Sequence, residues 1–419
     1  MNRVKTILLT VAAVVLGLAL SSCSIVANFI APGNMTLQEE WVDVEIMSSA
    51  SGYTAVSPED YYQYSQMSDF QKSLYDMFAN AVKNGESVID IGDEYYTADV
   101  VTKVYSRFLS DYPQYFYVTG NIEYGVAKDE GIEYIRIKYT DGVTVDDFND
   151  NGNLSKTADR KLIAERIERF NSEVDKILYG IPAGLSQLEL EKYLHDYLVD
   201  NVEYYQETVD FNASPLPDYT NAYGGLVNGE GICQTYAELM QYLCYCVGIN
   251  ANQVSGTSLE DEAHVWNVAE IEGEWYHLDV TWDDPMLAEG QTMDYIRYDY
   301  FNRTDVDIID DHIVDDEYNA IPTCNAETYK PENCYFAKMV GYDTAPENYK
   351  AMADSIAVGR EDRIRIYLGY YSLNETYITE YFLDENSVFM TYVKSMGYDF
   401  KPEWSYTVSG KYCYIPVTR

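Results

Sequence analysis

Two stretches of the chain combine a helix-opening motif with apolar residues at helical spacing. In Ser68-Asp69-Phe70-Gln71 and in Ser186-Gln187-Leu188-Glu189, a serine stands three residues before a glutamine or glutamate. This spacing is the capping box of a helix amino terminus, in which each side chain accepts a hydrogen bond from the other residue's backbone. Apolar residues then recur every three or four positions, as in an amphipathic helix. Helices are predicted over roughly 68–84, 97–110, 159–178 and 186–198.

Other stretches carry the alternation of apolar and polar residues that is typical of half-buried strands. Residues 133–139 alternate at period two, and a shorter strand is predicted at Tyr115-Phe116-Tyr117-Val118. Towards the carboxy terminus, helices that are predicted to open at Thr344 and Ser372 alternate with two strand-like runs. The mixture predicts an α+β protein.

The amino terminus has the pattern of a secretory signal. Arg3 and Lys5 precede an apolar run over 7–20, and Leu20-Ser21-Ser22-Cys23 closes it. The pattern resembles a bacterial lipoprotein signal, which implies cleavage before Cys23 and lipid attachment to that cysteine. A plain secretory signal that ends near a cysteine is the alternative. We expect a lipid-anchored protein on the extracytoplasmic face of the cell membrane.

A chain of 419 residues is too long for one ordinary hydrophobic core, so two or three domains are expected. The predicted helices and strands before Gly180 and after about residue 335 form groups of their own. We predict a signal peptide at 1–22, a tether at 23–59, an amino-terminal α+β domain at 60–180, a central domain at 181–330 and a small carboxy-terminal α/β domain at 331–419.

The charge balance limits the classes of partner. The chain has 28 lysines and arginines against 69 aspartates and glutamates, for a net charge of −41. It therefore has no basic surface to neutralise phosphates, and nucleic-acid binding is not expected. The sequence also shows no motif with the ligand spacing of a metal or cofactor site, so we expect neither. Asp283 and Asp284, in Trp282-Asp283-Asp284-Pro285, are interpreted as turn and helix-cap residues rather than calcium ligands.

Cys233 stands where a reactive thiol is expected. Gly229-Glu230-Gly231 predicts a tight loop, and Cys233 then begins a helix whose apolar face runs towards a stop at Gly248. A thiol in the first turn of a helix lies at the positive end of the peptide dipoles, which favours the thiolate. The N–H groups of that turn could also stabilise an oxyanion. Cys233 is therefore the predicted nucleophile.

The partners of this thiol are predicted from a hairpin. Residues 262–271 and 274–282 are strand-like and meet at Glu272-Gly273, a turn signal. With that turn, His264 pairs opposite Thr281, and Asp279 lies on the same face within side-chain reach of His264. A shift of one residue would separate them. His264 is preferred over His277 as the base, because a carboxylate orients an imidazole better from a neighbouring strand than along the same strand.

The remaining cysteines and histidines are given structural roles. His195 is interpreted as a packing histidine on a helix, and Cys244 and Cys246 as small core residues of the Cys233 helix. A disulfide between Cys324 and Cys334 is left open, because sequence alone cannot establish it.

The motifs together resemble the transglutaminase-like superfamily. They are Gly-Ile-Cys-Gln-Thr-Tyr-Ala around Cys233, Ala-His-Val-Trp-Asn around His264, and Trp-Tyr-His-Leu-Asp-Val-Thr-Trp-Asp-Asp-Pro around Asp279. The resemblance covers about residues 185–315. It implies a papain-like α+β core, with the cysteine helix packed on an antiparallel sheet, and a catalytic Cys-His-Asp triad. Thr235 departs from the family pattern, where glycine is more usual, and we expect the departure to be tolerated.

The predicted chemistry is acyl transfer. Cys233 attacks an acyl carbon, His264 protonates the leaving amine, Asp279 fixes the imidazole tautomer, and water or an amine resolves the thioester. We expect peptide or protein substrates, with cell-wall peptide as one class, and hydrolysis rather than cross-linking, because water is the abundant acceptor outside the cell. The alternative is a surface binding or scaffold protein that keeps the fold without turnover. The oligomeric state is not predicted.

Overall fold

The computed structural model describes residues 53–92, 94–126, 131–139, 157–211, 213, 216–284, 296–315, 320–358 and 361–419. The predicted signal peptide, Cys23 and most of the predicted tether lie outside these residues, as does Pro285. The chain divides into two compact units: the first holds the described residues up to Trp275 together with Ile309–Thr323, and the second holds Tyr276–Ile308 and Cys324–Arg419. The domain boundaries drawn from the sequence remain a prediction.

The α-helices of the described residues follow one another through both units. In chain order they are α1 (Tyr62–Ser65), α2 (Asp69–Lys83), α3 (Ala98–Asp111), α4 (Thr157–Gly180), α5 (Gln187–Asn201), α6 (Cys233–Cys246), α7 (Val280–Asp283), α8 (Asp305–Ile308), α9 (Pro331–Cys334), α10 (Tyr349–Ala357), α11 (Glu375–Ile378) and α12 (Val388–Met396).

The strands of the described residues are mostly short. In chain order they are β1 (Val88–Asp90), β2 (Val118–Val126), β3 (Ile132–Tyr139), β4 (Glu203–Tyr204), β5 (Glu230–Gly231), β6 (Ala251–Ser258), β7 (Ala263–Ile271), β8 (Glu274–Leu278), β9 (His312–Val314), β10 (Ala337–Lys338), β11 (Arg363–Tyr367), β12 (Lys401–Pro402), β13 (Thr407–Ser409) and β14 (Tyr412–Thr418).

The amino-terminal part of the first unit packs α2 and α3 together beside the sheet β1-β3-β2. Both predicted capping boxes are confirmed, since Ser68 caps α2 with Gln71, and Ser186 caps α5 with Glu189. The short strand predicted at 115–118 is wrong. Pro113 instead begins a 3-10 turn that includes Tyr115, because its fixed φ suits the first position of a helical turn. The strand β2 begins only at Val118.

Helix α6 is enclosed on several sides in the first unit. It packs against β6 and β7, against α5 and against the 3-10 turn at Pro113–Tyr115. Every side chain of α6 except that of Glu238 is buried. The amphipathic helix expected from the sequence is therefore a fully buried one, which is the form a helix takes when it is packed all round. Its predicted stop is confirmed, because Gly248 has a φ of +83°.

The predicted hairpin turn is present between β7 and β8. Glu272 and Gly273 have φ values of +51° and +85°, as a two-residue type I′ turn requires. The second strand is shorter than predicted, since β8 ends at Leu278 and Thr281 lies in α7. The expected pairing of His264 with Thr281 is therefore wrong. The strand stops because the Asp279 carboxylate accepts a hydrogen bond from the N–H of Trp282 and so caps α7.

The four strands of this second sheet of the first unit lie in the order β8-β7-β6-β9, and β8 is the strand in which the first unit ends. Strands β6 and β7 are antiparallel, with His264 opposite Gly256. Strand β9 comes from the returning segment Ile309–Thr323 and pairs antiparallel with β6. A short strand distant in sequence thus completes the sheet beside which α6 lies.

The second unit contains the sheet β10-β11-β14-β12, to which β13 adds by pairing with β14. The strand predicted at 363–368 is confirmed by β11, whereas the run at 405–417 is a hairpin of two strands. Neither predicted helix start is correct. Glu347 pairs with Lys338, so α10 begins only at Tyr349. Asn374 rather than Ser372 caps α11, because its side chain reaches the N–H of Tyr377.

The helices in the described part of the chain are too short or too polar to cross a bilayer.

One carboxyl group in the first unit is buried without a cation in hydrogen-bonding contact. Asp111, at the end of α3, is 0% exposed, and its Oδ2 accepts a hydrogen bond of 2.8 Å from the hydroxyl of Tyr75. Burial raises the pKa of Asp111 to about 8, an effect that the Tyr75 hydrogen bond and the charge of Arg107 only partly offset. The folded protein therefore holds this proton at pH values at which the unfolded chain has released it.

We expect Asp111 to make the protein less stable as the pH rises. Its stabilisation is complete below the unfolded value near pH 3.8 and is lost towards pH 8, at up to about 1.4 kcal/mol per pH unit. The Asp111→Asn variant keeps a neutral, hydrogen-bonding side chain. The difference between its free energy of unfolding and that of the parent should therefore shift in favour of the variant as the pH rises from 5 to 8. Urea unfolding at four pH values measures this difference. A constant difference between the two proteins across that range would contradict the assignment.

Candidate active site

Cys233 is the first residue of α6 and is buried, with 4% of its surface exposed. The loop before it is fixed by backbone pairing, because β5 lies parallel to β4 and the N–H of Ile232 donates to the carbonyl oxygen of Tyr219 at 3.0 Å. Gly229 permits the loop by adopting a φ of +73°. The first-turn N–H groups of a helix have no acceptor within the helix itself. The thiol therefore lies in a fixed position at the positive end of a buried helix.

Thr235 is the residue that was expected from the sequence to be a tolerated departure from the family pattern. Its hydroxyl donates to the carbonyl oxygen of Tyr219 at 2.7 Å and accepts from the N–H of Ile232 at 3.3 Å. A β-carbon at Gly225 would lie 2.5 Å from the Thr235 methyl, and one at Gly231 would lie 2.4 Å from it. The threonine is therefore accommodated because two neighbouring positions are glycine. It ties the start of α6 to the preceding loop.

A chain of side-chain hydrogen bonds begins at Gln234, the residue after the predicted nucleophile Cys233. Its amide nitrogen donates to Glu238 Oε1 and to Gln253 Oε1, each at 2.8 Å, and Gln253 in turn donates to the carbonyl oxygen of Ser110 at 3.0 Å. The other carboxylate oxygen of Glu238 accepts from the N–H of Ala222 at 2.7 Å. Burial raises the pKa of Glu238 to about 7. This set was not predicted, although Gln234 and Glu238 have the i,i+4 spacing of a helix-surface pair.

His264 lies near the start of β7 and is buried. Strand β7 is packed directly on α6, and the Asn267 side chain donates to the carbonyl oxygen of Ala237 at 3.0 Å, one turn after Cys233. The predicted nucleophile and base thus stand near the starts of two elements that are in direct contact. The His264 ring is stacked with that of Trp266, at a centroid separation of 5.9 Å.

His312 is a neighbour of His264 that the sequence did not predict. The two ring centroids are 5.4 Å apart, and the nearest ring nitrogens lie within 4.8 Å of one another. His312 is buried on β9, and its Nδ1 is 2.7 Å from the carboxylate of Asp311. No local pattern marks this residue, since it reaches the site only through the long-range pairing of β9 with β6.

Asp279 lies in the second unit, directly after β8. It is fully buried, its N–H donates to the carbonyl oxygen of Tyr300 at 3.1 Å, and its Oδ1 accepts from the N–H of Trp282 at 3.1 Å. These contacts hold both its backbone and its side chain. The first unit contains Cys233 and His264, and Asp279 follows the strand that neighbours the one carrying His264.

The other two histidines have partners of their own. His195 is buried on α5, with Nδ1 at 3.0 Å from the Asp196 carboxylate, in agreement with a packing role. Nε2 of His277 is 3.0 Å from Asp305 Oδ1 within the second unit. Asp283, for which a cap or turn role was predicted, accepts a hydrogen bond from the N–H of Tyr300 at 2.9 Å.

The described cysteines other than Cys233 are thiols, and all of them except Cys334 are buried. No disulfide joins any of the cysteines in the described ranges, so the bridge considered between Cys324 and Cys334 is not formed. Burial raises the pKa of Cys246 and of Cys413 to about 12 each, and raises that of Cys244 well above its ordinary value. These thiols are protonated at neutral pH and are therefore weak nucleophiles.

Residues 180–280 match the family model of the transglutaminase-like superfamily, and this segment contains Cys233, His264 and Asp279. This segment is therefore a transglutaminase-like domain, which confirms the resemblance for this part of the chain, and the predicted α+β fold class is confirmed. None of the curated proteins matches the chain.

Three solved structures are similar to parts of the chain. A candidate cysteine protease from Cytophaga hutchinsonii is 16% identical over 38% of this chain and 61% of its own, with a TM-score of 0.22. A TGase is 14% identical over 42% of this chain and 48% of its own, with a TM-score of 0.24. A candidate protease from Parabacteroides distasonis is 12% identical over 38% and 35%, with a TM-score of 0.20. The chain thus covers less than two thirds of each of these proteins.

The close fit of Thr235 against Gly231 leads to a testable coupling. Gly231→Ala should destabilise the protein by about 1–3 kcal/mol, because the new methyl group would overlap the Thr235 side chain. Thr235→Gly removes that side chain, so Gly231→Ala should cost much less in the Thr235→Gly background. Chemical unfolding of the parent, both single variants and the double variant measures the coupling energy.

Gly273→Ala serves as a comparison, since a β-carbon at Gly273 meets no atom within 4 Å and only its positive φ opposes the change. Additive effects of Gly231→Ala and Thr235→Gly would show that the two positions do not share this space.

Proposed function

We propose that the chain is a cysteine-dependent acyl-transfer enzyme that acts on amide bonds of peptides or proteins. The observation that carries the proposal is the position of Cys233 at the first residue of the buried helix α6, with β7 and its His264 packed on that helix in the same unit. The transglutaminase-like domain at 180–280 supports the same class of chemistry.

The proposed reaction proceeds through a thioester. His264 accepts the proton of the Cys233 thiol, the sulfur attacks the amide carbonyl carbon, and the electron pair of the carbonyl double bond moves to oxygen. When the tetrahedral intermediate collapses, the carbon–nitrogen bond breaks and His264 gives a proton to the departing amine. Water, deprotonated by His264, then attacks the thioester and releases the carboxylic acid and the Cys233 thiol.

The oxyanion is proposed to be held by the first turn of α6. The backbone N–H groups at that end of the helix point out of the helix, and the dipole places positive potential where the negative oxygen forms. Because α6 is enclosed by protein, few water molecules screen this potential. The backbone hydrogen bond from Ile232 to Tyr219 keeps the turn in place before the substrate arrives.

Asp279 is proposed as the residue that orients His264. It directly follows β8, which is the neighbour of β7 in the sheet, and its carboxylate is fully buried. Its hydrogen bond from the N–H of Trp282 uses Oδ1. A carboxylate in this role would hold one imidazole tautomer and stabilise the imidazolium that forms during proton transfer.

Hydrolysis is the proposed outcome, with peptide substrates that include those of the cell wall. The predicted lipid anchor at Cys23 would hold the enzyme on the extracytoplasmic face of the membrane, where water far exceeds any single amine. A transferase would need a separate site that holds an amine beside the thioester.

The alternative function is a surface-binding or scaffold protein with a silent site. The observation that favours it is the burial of Cys233, a residue that is only 4% exposed, since a substrate must reach the sulfur. Chemical modification of the thiol distinguishes the two functions.

We expect iodoacetamide to modify Cys233 before the other cysteines of the signal-less protein at pH 7, since burial keeps Cys244, Cys246 and Cys413 protonated. His264→Ala should slow the modification of Cys233 at least tenfold, because the thiolate loses its imidazolium partner. Peptide mapping by mass spectrometry over time gives the rate at each cysteine. Cys334→Ser removes the half-exposed thiol and should leave the Cys233 rate unchanged.

Equal, slow modification of several cysteines, unaffected by His264→Ala, would support the scaffold function. Where Cys233 proves reactive, a peptide library with mass-spectrometric detection tests turnover. Cys233→Ala should reduce amide cleavage by at least about 10³-fold. Adding a primary amine distinguishes hydrolysis from transfer. A transferase would incorporate the amine into the product, whereas a hydrolase would continue to release the carboxylic acid.

A further inference from the structure

We propose that the second unit binds a divalent transition-metal ion of the zinc class between His277, Asp305 and Cys324. A ring nitrogen, a carboxylate oxygen and the thiol sulfur of these residues all lie within 4.8 Å of one another. The donors around one tetrahedral zinc ion are roughly 3–4 Å apart, given metal–ligand bonds of about 2.0–2.3 Å. Small side-chain rotations would therefore place all three donors on one ion.

The backbone already holds the three residues in position. The backbones of His277 and Arg303 form two hydrogen bonds of 2.8 Å with each other, and Arg303 lies two residues before Asp305 in the chain. The N–H of Asp305 donates to the carbonyl oxygen of Cys324 at 2.7 Å, and the Cys324 N–H donates to the Asp305 carboxylate at 3.2 Å. Asp305 and Cys324 are thus joined through the main chain, and the main chain of His277 pairs with Arg303, two residues before Asp305. Little ordering remains for the ion to impose, which favours binding.

Burial and access suit a metal site with one open position. His277 and Cys324 are 2% and 0% exposed, whereas the Asp305 side chain is 41% exposed and forms the open side of the cluster. An ion could enter past the carboxylate and keep a solvent molecule as its fourth ligand. Three protein ligands and one open position form a common zinc arrangement.

The charge and type of the donors indicate which ion fits. A carboxylate, a thiolate and a neutral imidazole carry two negative charges, which a divalent cation neutralises. On binding, the S–H bond of Cys324 breaks and its proton passes to solvent, while the imidazole proton moves to the nitrogen that faces away from the ion. Sulfur and imidazole donors select zinc and related ions over magnesium or calcium. Among the described residues, no lysine or arginine forms an ion pair with Asp305.

The proposed ion does not take part in the proposed thioester chemistry, since none of its ligands is Cys233 or His264. Its ligand His277 is the next-to-last residue of β8, and Asp279 follows that strand directly. Metal binding would therefore stabilise the strand end that leads to Asp279. The sequence gives no sign of the cluster, because its residues are 28 and 19 positions apart along the chain.

Cobalt(II) titration of the Cys233→Ala protein tests the proposal, because cobalt replaces zinc and reports on sulfur ligation. We expect a thiolate-to-cobalt charge-transfer band in the near ultraviolet that saturates at one ion per chain and disappears when zinc is added. Cys324→Ser should lose the band. Cys413→Ser and Cys334→Ser should keep it, as matched controls for a buried and a half-exposed thiol of the same unit. The Cys233→Ala background removes the thiol of the proposed active site, so an ion bound at His264 would give no such band.

A second measurement, on a variant of the exposed ligand, complements the cobalt titration. Asp305→Asn, at the exposed side of the cluster, should weaken zinc binding at least tenfold in competition with a chromophoric chelator. It reports on the site even if Cys324→Ser fails to fold by circular dichroism. Absence of the charge-transfer band in the Cys233→Ala protein would overturn the proposal, as would a band that persists in folded Cys324→Ser. Neither outcome bears on amide cleavage by the parent enzyme.

Discussion

The enclosure of α6 is the constraint on which the rest of the first unit depends. A helix that is buried on all sides has no water to satisfy its polar side chains, so those side chains must find partners in the surrounding elements. The partners are distant in sequence, and each bond joins α6 to a different layer. They are the Ser110 carbonyl for Gln241, the Val202 carbonyl for Tyr236 and the Tyr219 carbonyl for Thr235. These polar groups of α6 therefore fix the positions of three surrounding segments: the end of α3 at Ser110, the residue after α5 at Val202, and the loop before Cys233 at Tyr219.

The same enclosure strengthens the positive electrostatic potential at the amino terminus of α6. A helix end acts on a charge most strongly where water is excluded, because the low local dielectric leaves the peptide dipoles unscreened. Keeping that end buried requires close approach of the preceding loop, and Gly225 and Gly231 provide it by leaving room for the Thr235 side chain. The Thr235 side chain therefore fits at the start of α6 because both of these positions lack a β-carbon.

Features that depend on local chemistry were predictable from the sequence, and features that depend on distant pairing were not. The capping boxes at Ser68 and Ser186 and the turn at Glu272-Gly273 need only neighbouring residues, and all three are present. The full burial of α6 was missed because periodicity reveals one apolar face and cannot show what covers the opposite face. The position of His312 beside His264 was missed for a related reason, since it follows from the pairing of β9 with β6 rather than from any motif.

Cys233 and Cys324 show how the surroundings of a cysteine decide which chemistry its thiol can perform. Cys233 lies at a helix amino terminus, where the backbone N–H groups carry partial positive charge. Cys324 instead lies beside a carboxylate, and burial together with the charge of Asp305 raises the pKa of its thiol well above the ordinary value. Without a cation that thiol is protonated and a poor nucleophile, whereas a divalent ion would reverse the sign of the local potential and stabilise its thiolate. A nucleophile needs a site whose positive potential comes from the protein itself, and Cys233 has one in the amino terminus of α6, as its proposed role requires.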